Sequence, residues 1–253
     1  MYKTIQGIVL KRTRFAESSA YVTVITENGI EKFSAKGILS PKNKNRSATS
    51  LFALSEFVLT QKGDVSTLSS ATLIKSLIRP GIDFEALAVA NYIACLAHDT
   101  DFTEEDAPAI YKLLGTALSV LDKKDVLPAT VKAVFELRLM AELGFFPDIE
   151  FCAKCHKPFS EGAFLSFEGS VLCPACEVFY EGKKVTLTPA LTRALATLFS
   201  LSNAQAFGIR FANSEQQNAF FTLAEEFSVS HLDCALTALT YYKKTLQVYN
   251  EHS

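Results

Sequence analysis

Two cysteine pairs carry the most specific chemistry in this chain. Cys152-Ala153-Lys154-Cys155 and Cys173-Pro174-Ala175-Cys176 are separated by 17 residues. Each Cys-x-x-Cys bends the chain so that two sulfurs converge, and two such knuckles supply the tetrahedral thiolate shell that zinc favours. Four protein ligands leave no open position for substrate, so the expectation is a structural Zn2+ at Cys152, Cys155, Cys173 and Cys176. Three other chemistries compete for these residues. Cys152 to His156 also spells Cys-x-x-Cys-His, a covalent haem pattern, against which stand the matching second pair and a start, Met1 to Gln6, without the charged and apolar runs of an export signal. A thioredoxin-like pair needs a βαβ setting that is absent here. Two disulfides need an oxidising compartment. Of the remaining cysteines, Cys95 reads as a core thiol beside a surface His98, and Cys234 as isolated and buried.

A second set of residues is basic. The stretch from Lys36 to Ser47 contains Lys36, Lys42, Lys44 and Arg46 and no acid, with Gly37 and Pro41 keeping it irregular. It lies in residues 1–79, which hold 12 Lys or Arg against 5 Asp or Glu, whereas residues 80–253 hold 13 against 22. The overall charge of −2 thus hides local balances of +7 and −9, a division that points to an anionic polymer as partner. Together with Lys11, Arg12 and Arg14, the loop cations could neutralise several phosphates and release counterions, giving salt-sensitive affinity. Phe15, Tyr21 and Phe33 are placed to stack bases beside them. A solvated basic surface is the alternative, and charge alone does not separate the two.

The elements that must position these groups change character along the chain. Gly7–Arg12, Ala20–Thr26, Ile30–Ala35, Leu51–Thr60 and Val65–Ile78 read as five strands, with Asn28-Gly29 as a hairpin turn of two positive-φ residues and Gln61 to Asp64 as another turn. Five strands with uneven polar loops fit a small barrel of the OB type, filled by Val9, Val22, Val24, Leu54, Phe57 and Leu59. After Pro80-Gly81 the apolar period lengthens to about 3.6. Helices follow from Asp83, from Asp106, from Thr130 to Leu143, from Thr188-Pro189, from Asn213, and from His231 to about Gln247. Ala163–Phe167 and Val171-Leu172 form a hairpin between the cysteine knuckles. The fold class is therefore α+β and multidomain: residues 1–79 an OB-fold for nucleic acid, 80–147 the first part of a helical domain, 148–182 the zinc insert, and 183–253 the second part of the helical body. Tyr241, Tyr242, Lys243 and Lys244 could form part of a peptide groove.

Neither Gly-x-x-x-x-Gly-Lys-Ser/Thr nor Gly-x-Gly-x-x-Gly occurs, so nucleotide binding has no visible seat. Gly-x-Ser-x-Gly and His-Glu-x-x-His are likewise absent. The expectation is a binding and assembly protein, not an enzyme. The apolar stretches are too short to cross a bilayer, and the expected location is the cytoplasm.

Several segments, in order, resemble the RecO family of bacterial recombination mediators. They are Gly7-Ile8-Val9-Leu10 with Glu17-Ser18, Ala35-Lys36-Gly37 with the basic loop, Phe135-Glu136-Leu137-Arg138 to Leu143-Gly144-Phe145, and then the four cysteines, where many members carry a zinc module. The resemblance implies binding of single- and double-stranded DNA, annealing of complementary strands, and work with RecR and single-stranded DNA-binding protein so that RecA can load. It also implies DNA contacts on the barrel, carried onto Lys36, Lys42, Lys44 and Arg46 and then onto Lys11, Arg12 and Arg14, and a pocket on the helical body for the acidic tail of single-stranded DNA-binding protein. Ile38-Leu39-Ser40 stands where relatives are often more basic. The rival reading is a zinc-containing regulatory or RNA-binding OB-fold subunit that acts by protein contacts.

Overall fold

Alternating β-branched and polar residues over the first third of the chain give five strands: β1 (Tyr2–Arg14), β2 (Ala20–Thr26), β3 (Gly29–Ala35), β4 (Ala53–Lys62) and β5 (Val65–Ser76). The computed structural model describes residues 2–63, 65–146, 148–158 and 162–252. Asp64, at the end of the expected Gln61 to Asp64 turn, lies outside them. The strands close in the order β1-β2-β3-β5-β4, a five-stranded OB-type arrangement. Closure depends on the length of β1. Its first half pairs antiparallel with β4 and its second half with β2, while β3 meets β5 in parallel at Ser34 and Thr67, whose hydroxyls are 3.0 Å apart. At Gly7, where β1 passes from one partner to the other, a Cβ would sit 2.8 Å from the Ile25 carbonyl oxygen, so a side chain there would displace backbone.

Inside the barrel lie Val9, Val22, Val24, Phe33, Phe57 and Leu59, with the Phe33 and Phe57 rings 5.1 Å apart. Leu54 does not join them: Ala53, Ser55, Phe57 and Leu59 are the buried residues of β4, and alternation leaves Leu54 half-buried. The hairpin at Asn28-Gly29 forms, but only Gly29 has positive φ, at 115°. The Thr26 hydroxyl, accepting from the Asn28 amide at 3.0 Å and donating to the Gly29 carbonyl at 3.0 Å, closes the turn instead.

Two helices share a compact unit with the barrel. α1 (Phe84–Asp99) starts at Asp83, whose carboxylate accepts from the Ala86 amide at 2.9 Å, and α2 (Ala107–Lys123) has proline in its first turn. They pack on each other, with α1 against β1 and α2 against β2. Arg79 ties the end of the barrel segment to α2 through its backbone amide and guanidinium, both on Asp122, at 2.7 and 2.8 Å. The resulting unit spans residues 1–124, and the second spans 125–253. The change from strand to helix near residue 80 falls inside the first compact unit, in which α1 and α2 touch β1 and β2.

The second unit is built around α3 (Pro128–Glu142), in which every residue from Thr130 to Met140 is buried. Next come β6 (Ala163–Ser166), β7 (Val171–Leu172), the short α4 (Pro174–Glu177) and β8 (Lys184–Leu187), with the sheet ordered β7-β6-β8. β8 adds a third strand to the expected hairpin. The remaining helices are α5 (Pro189–Ser200), α6 (Asn203–Ala206), α7 (Ser214–His231) and α8 (Asp233–His252). Thr188 and Asn213 cap α5 and α7 as expected, accepting from Leu191 and Gln216 amides at 3.2 and 2.9 Å. His231 ends α7 instead of opening the last helix. Among the described residues, no helix is long and apolar enough to cross a membrane.

Candidate nucleic-acid interface and metal centre

The basic loop between β3 and β4 is a chain of turns fastened to the barrel. Ile38 is 1% exposed and belongs to the barrel core, with Leu39 packed against that core. The two apolar residues that interrupt the basic run are thus its anchor. Polar residues do the rest. Asn43 donates to the Gly37 carbonyl at 3.0 Å, and the Asn45 side chain accepts from the Ala71 amide of β5 at 3.2 Å. The Ser55 hydroxyl donates to the Ala48 carbonyl at 2.8 Å. Gly37, at φ 65°, makes the entry turn.

Two segments that are distant in sequence meet here. The Leu39 amide donates to the Ser18 carbonyl at 2.9 Å and the Gly37 amide to the Ser19 hydroxyl at 3.1 Å. Lys36, Lys42, Lys44 and Arg46 are all exposed on this scaffold. Among the described residues, none of them, nor Lys11, Arg12 or Arg14, forms an ion pair with a carboxylate. The loop therefore presents unneutralised cations on a backbone that is already ordered, which lowers the entropy lost when a polyanion binds.

The seven cations do not form a single patch. Burial, and then repulsion from Arg46, lower the affinity of Arg12 for its proton, so Arg12 feels the charge of the loop. Lys11 instead lends its charge to a carboxylate of α1. This group, Asp99, is held below the usual carboxylate range: burial opposes ionisation, but hydrogen bonds from Cys95 and His98 and the charges of His98 and Lys11 outweigh it. A bulge between Val9 and Lys11 resets the alternation of β1 at this point. Arg14 donates to the carbonyls of Ala16 and Glu17 at 3.0 and 2.7 Å, fastening the turn before β2. The structure thus joins Arg12 to the Lys36–Arg46 loop and gives Lys11 and Arg14 different surroundings.

Of the three aromatics expected near the cations, Phe33 is excluded from stacking on a base, being 1% exposed in the core. Its place on the inward face of β3 follows from its pairing with Val22. Phe15 and Tyr21 are exposed with ring centroids 4.5 Å apart, and Lys32 lies over the Tyr21 ring at 5.0 Å. Cys95 is exposed, contrary to its reading as a core thiol, and donates to the Asp99 carboxylate at 3.1 Å.

The four cysteines converge. Their sulfurs all lie within 4.8 Å of one another, and those of Cys155 and Cys173 are 3.8 Å apart. A tetrahedral shell with Zn–S bonds of about 2.3 Å places sulfurs roughly 3.8 Å apart, so the donor set and its spacing fit this ion. The first knuckle is closed by the His156 amide donating to the Cys152 carbonyl at 2.8 Å, with His156 at φ 58°. α4 closes the second, its Glu177 amide donating to the Cys173 carbonyl at 2.9 Å. The two are linked by the Cys173 amide donating to Cys152 Sγ at 3.4 Å.

Burial raises the Cys152 thiol, but donors from Cys155, Cys173 and Lys154 outweigh it and bring it to about 6. Desolvation and the three neighbouring sulfurs push Cys176 up to about 12. Four crowded sulfurs cannot all ionise by themselves, and a bound cation removes that conflict. Cys234, expected to be buried, is half-buried.

One feature of the second unit was not anticipated. Lys132, in the middle of α3, donates to Glu136 and to Glu225 of α7, each at 2.9 Å, and Lys243 of α8 donates to Glu225 at 2.6 Å. Lys132 and Glu136 are spaced i,i+4 on an otherwise apolar helix, the one signal in sequence that could have revealed the pair. Arg138 also lies in this helix and donates to the Leu201 carbonyl.

Comparison with known proteins agrees with this architecture. The model of the Recombination protein O N terminal family matches residues 1–77, and that of Recombination protein O C terminal matches residues 82–236. The chain is 30% identical to the DNA repair protein RecO of Acetivibrio thermocellus over 177 residues, 69% of this chain and 70% of that protein. It is 33% identical to the protein of the same name from Caldicellulosiruptor bescii over 180 residues, 68% of this chain and 71% of that one. With both family models matched in order and relatives of this identity covering more than two thirds of their length, the chain belongs to the RecO family of DNA repair proteins.

Proposed function

We propose that this chain is a non-enzymatic recombination mediator. It binds single- and double-stranded DNA on the barrel, anneals complementary strands, and acts with RecR and single-stranded DNA-binding protein so that RecA loads. The observation that carries this reading is the ordered loop from Lys36 to Arg46, whose exposed cations have no carboxylate partner among the described residues and are joined by Arg12. Annealing needs no bond chemistry. Two strands repel, and a fixed basic surface that screens both while leaving bases free lowers the cost of their encounter.

Zn2+ held by Cys152, Cys155, Cys173 and Cys176 cross-links the two knuckles and is structural. A cavity of about 510 Å3 in the second unit is lined by Leu191, Arg193, Leu201, Arg210 and Phe211. Its mixture of apolar walls and two arginines suits the acidic tail of single-stranded DNA-binding protein.

The test is strand annealing without ATP, together with metal quantification. One zinc per chain and accelerated annealing of complementary oligonucleotides are expected. Zinc without DNA affinity or annealing contradicts the mediator and supports a regulatory subunit working through protein contacts.

A further inference from the structure

The cysteine module exposes three large apolar side chains, Phe151, Val178 and Phe179, of which the last two are the most exposed. Val178 and Phe179, which directly follow α4, are 69% and 74% exposed. The Phe179 amide donates to the Cys176 carbonyl at 3.3 Å, so the second knuckle fixes the direction of this segment. Lys154, on the first knuckle, holds its ammonium 4.6 Å from the centre of the Phe179 ring. Among the described residues neither Lys154 nor Lys157, both exposed, is paired with a carboxylate, while Glu177 is taken up by Lys184. An exposed aromatic ring beside an ammonium group without a carboxylate partner is an arrangement that stacks an unpaired base and neutralises its phosphate. A protein-docking patch would instead favour a wider apolar surface with few lysines.

We propose that Phe179, with Lys154, is a second contact for single-stranded DNA, separate from the barrel loop. Lys154 lies in the first knuckle and Phe179 directly follows the second, so closing the sulfur shell assembles the contact. The proposal rests on the DNA-binding reading above.

It is tested by fluorescence anisotropy of a thymidine oligonucleotide with the full chain and the variants Phe179→Ala, Phe179→Trp and Lys154→Gln. Metal content and thermal unfolding are measured in parallel. Loss of one stacked base predicts binding weaker by about 5- to 160-fold for Phe179→Ala with the salt slope retained, and recovery in Phe179→Trp. Lys154→Gln lowers the salt slope by about 0.7.

Unchanged affinity in Phe179→Ala, while neutralising Lys42, Lys44 and Arg46 weakens binding, overturns this inference alone and leaves the exposed pair to a protein partner. A wild-type chain without DNA affinity overturns both readings. If Phe179→Ala loses its metal, Lys154→Gln decides: an unchanged slope overturns the proposal.

Discussion

Replacing Lys42, Lys44 and Arg46 together by glutamine removes three exposed cations from the barrel loop without touching what holds it. The fastening groups are Ile38, Asn43, Asn45 and Ser55, and the three substituted side chains contribute none of those bonds. Stability should therefore stay within about 0.5 kcal/mol of wild type, and loss of Arg46 also relieves its repulsion of Arg12. Each lost phosphate contact removes about 0.7 from the slope of log affinity against log salt for a single strand and about 0.9 for a duplex. Three contacts remove about 2 and about 2.7. Between roughly 50 and 200 mM salt, a slope difference of about 2 means that wild type loses roughly 20-fold more single-strand affinity than the variant does. Anisotropy titrations at four salt concentrations read the slope directly. A variant with wild-type slope and affinity would refute the assignment of this loop to phosphate.

Three further outcomes are expected. Cys155→Ser should abolish stoichiometric zinc and speed hydrogen exchange across residues 151–187 while leaving exchange in the barrel unchanged, because the metal supplies folding energy to its own module. Lys132→Met leaves the buried Glu136 beside Glu225 without its cation, so chemical denaturation should report a loss of about 3–5 kcal/mol. Glu225 gives a pH signature: burial raises its carboxyl, but Lys132 and Lys243 outweigh this and hold it below its ordinary 4.5. Its stabilisation is fully present above that value and is lost as pH falls through the lower folded value, so Glu225→Gln should flatten the acid limb of stability against pH.

How far the sequence could be read depended on whether a feature is local. The Cys-x-x-Cys knuckles are closed by hydrogen bonds between neighbours in the chain, and their spacing alone indicated the sulfur cluster. The β-branched runs likewise announced five strands, since period two is a local property. What period two does not reveal is which face is inside. Phe33 could be read as a surface aromatic because its burial depends on pairing with Val22 and on meeting Phe57 across the barrel. The bulge between Val9 and Lys11 shifts the register of β1 just before Lys11 and Arg12, which meet different charges, Asp99 and Arg46, and no residue type in β1 marks a bulge.

Ile38 and Leu39 looked like an interruption in a basic loop; only the closed barrel shows them as its anchor. The same limit applies to α1 and α2. Their periodicity gave helices, but their packing on β1 and β2 is a long-range fact. Lys132 and Glu136 were passed over because charge in a helix usually marks a solvated face, whereas α3 is buried on all sides.

Lysine footprinting tests the central claim most directly. The folded chain is acylated with and without a saturating single-stranded oligonucleotide, and modification is read residue by residue. Lys36, Lys42 and Lys44 should be protected while Lys112 and Lys123, exposed on α2 of the same compact unit, remain reactive. Equal reactivity of the loop lysines with and without DNA would contradict the placement of the polynucleotide on the barrel.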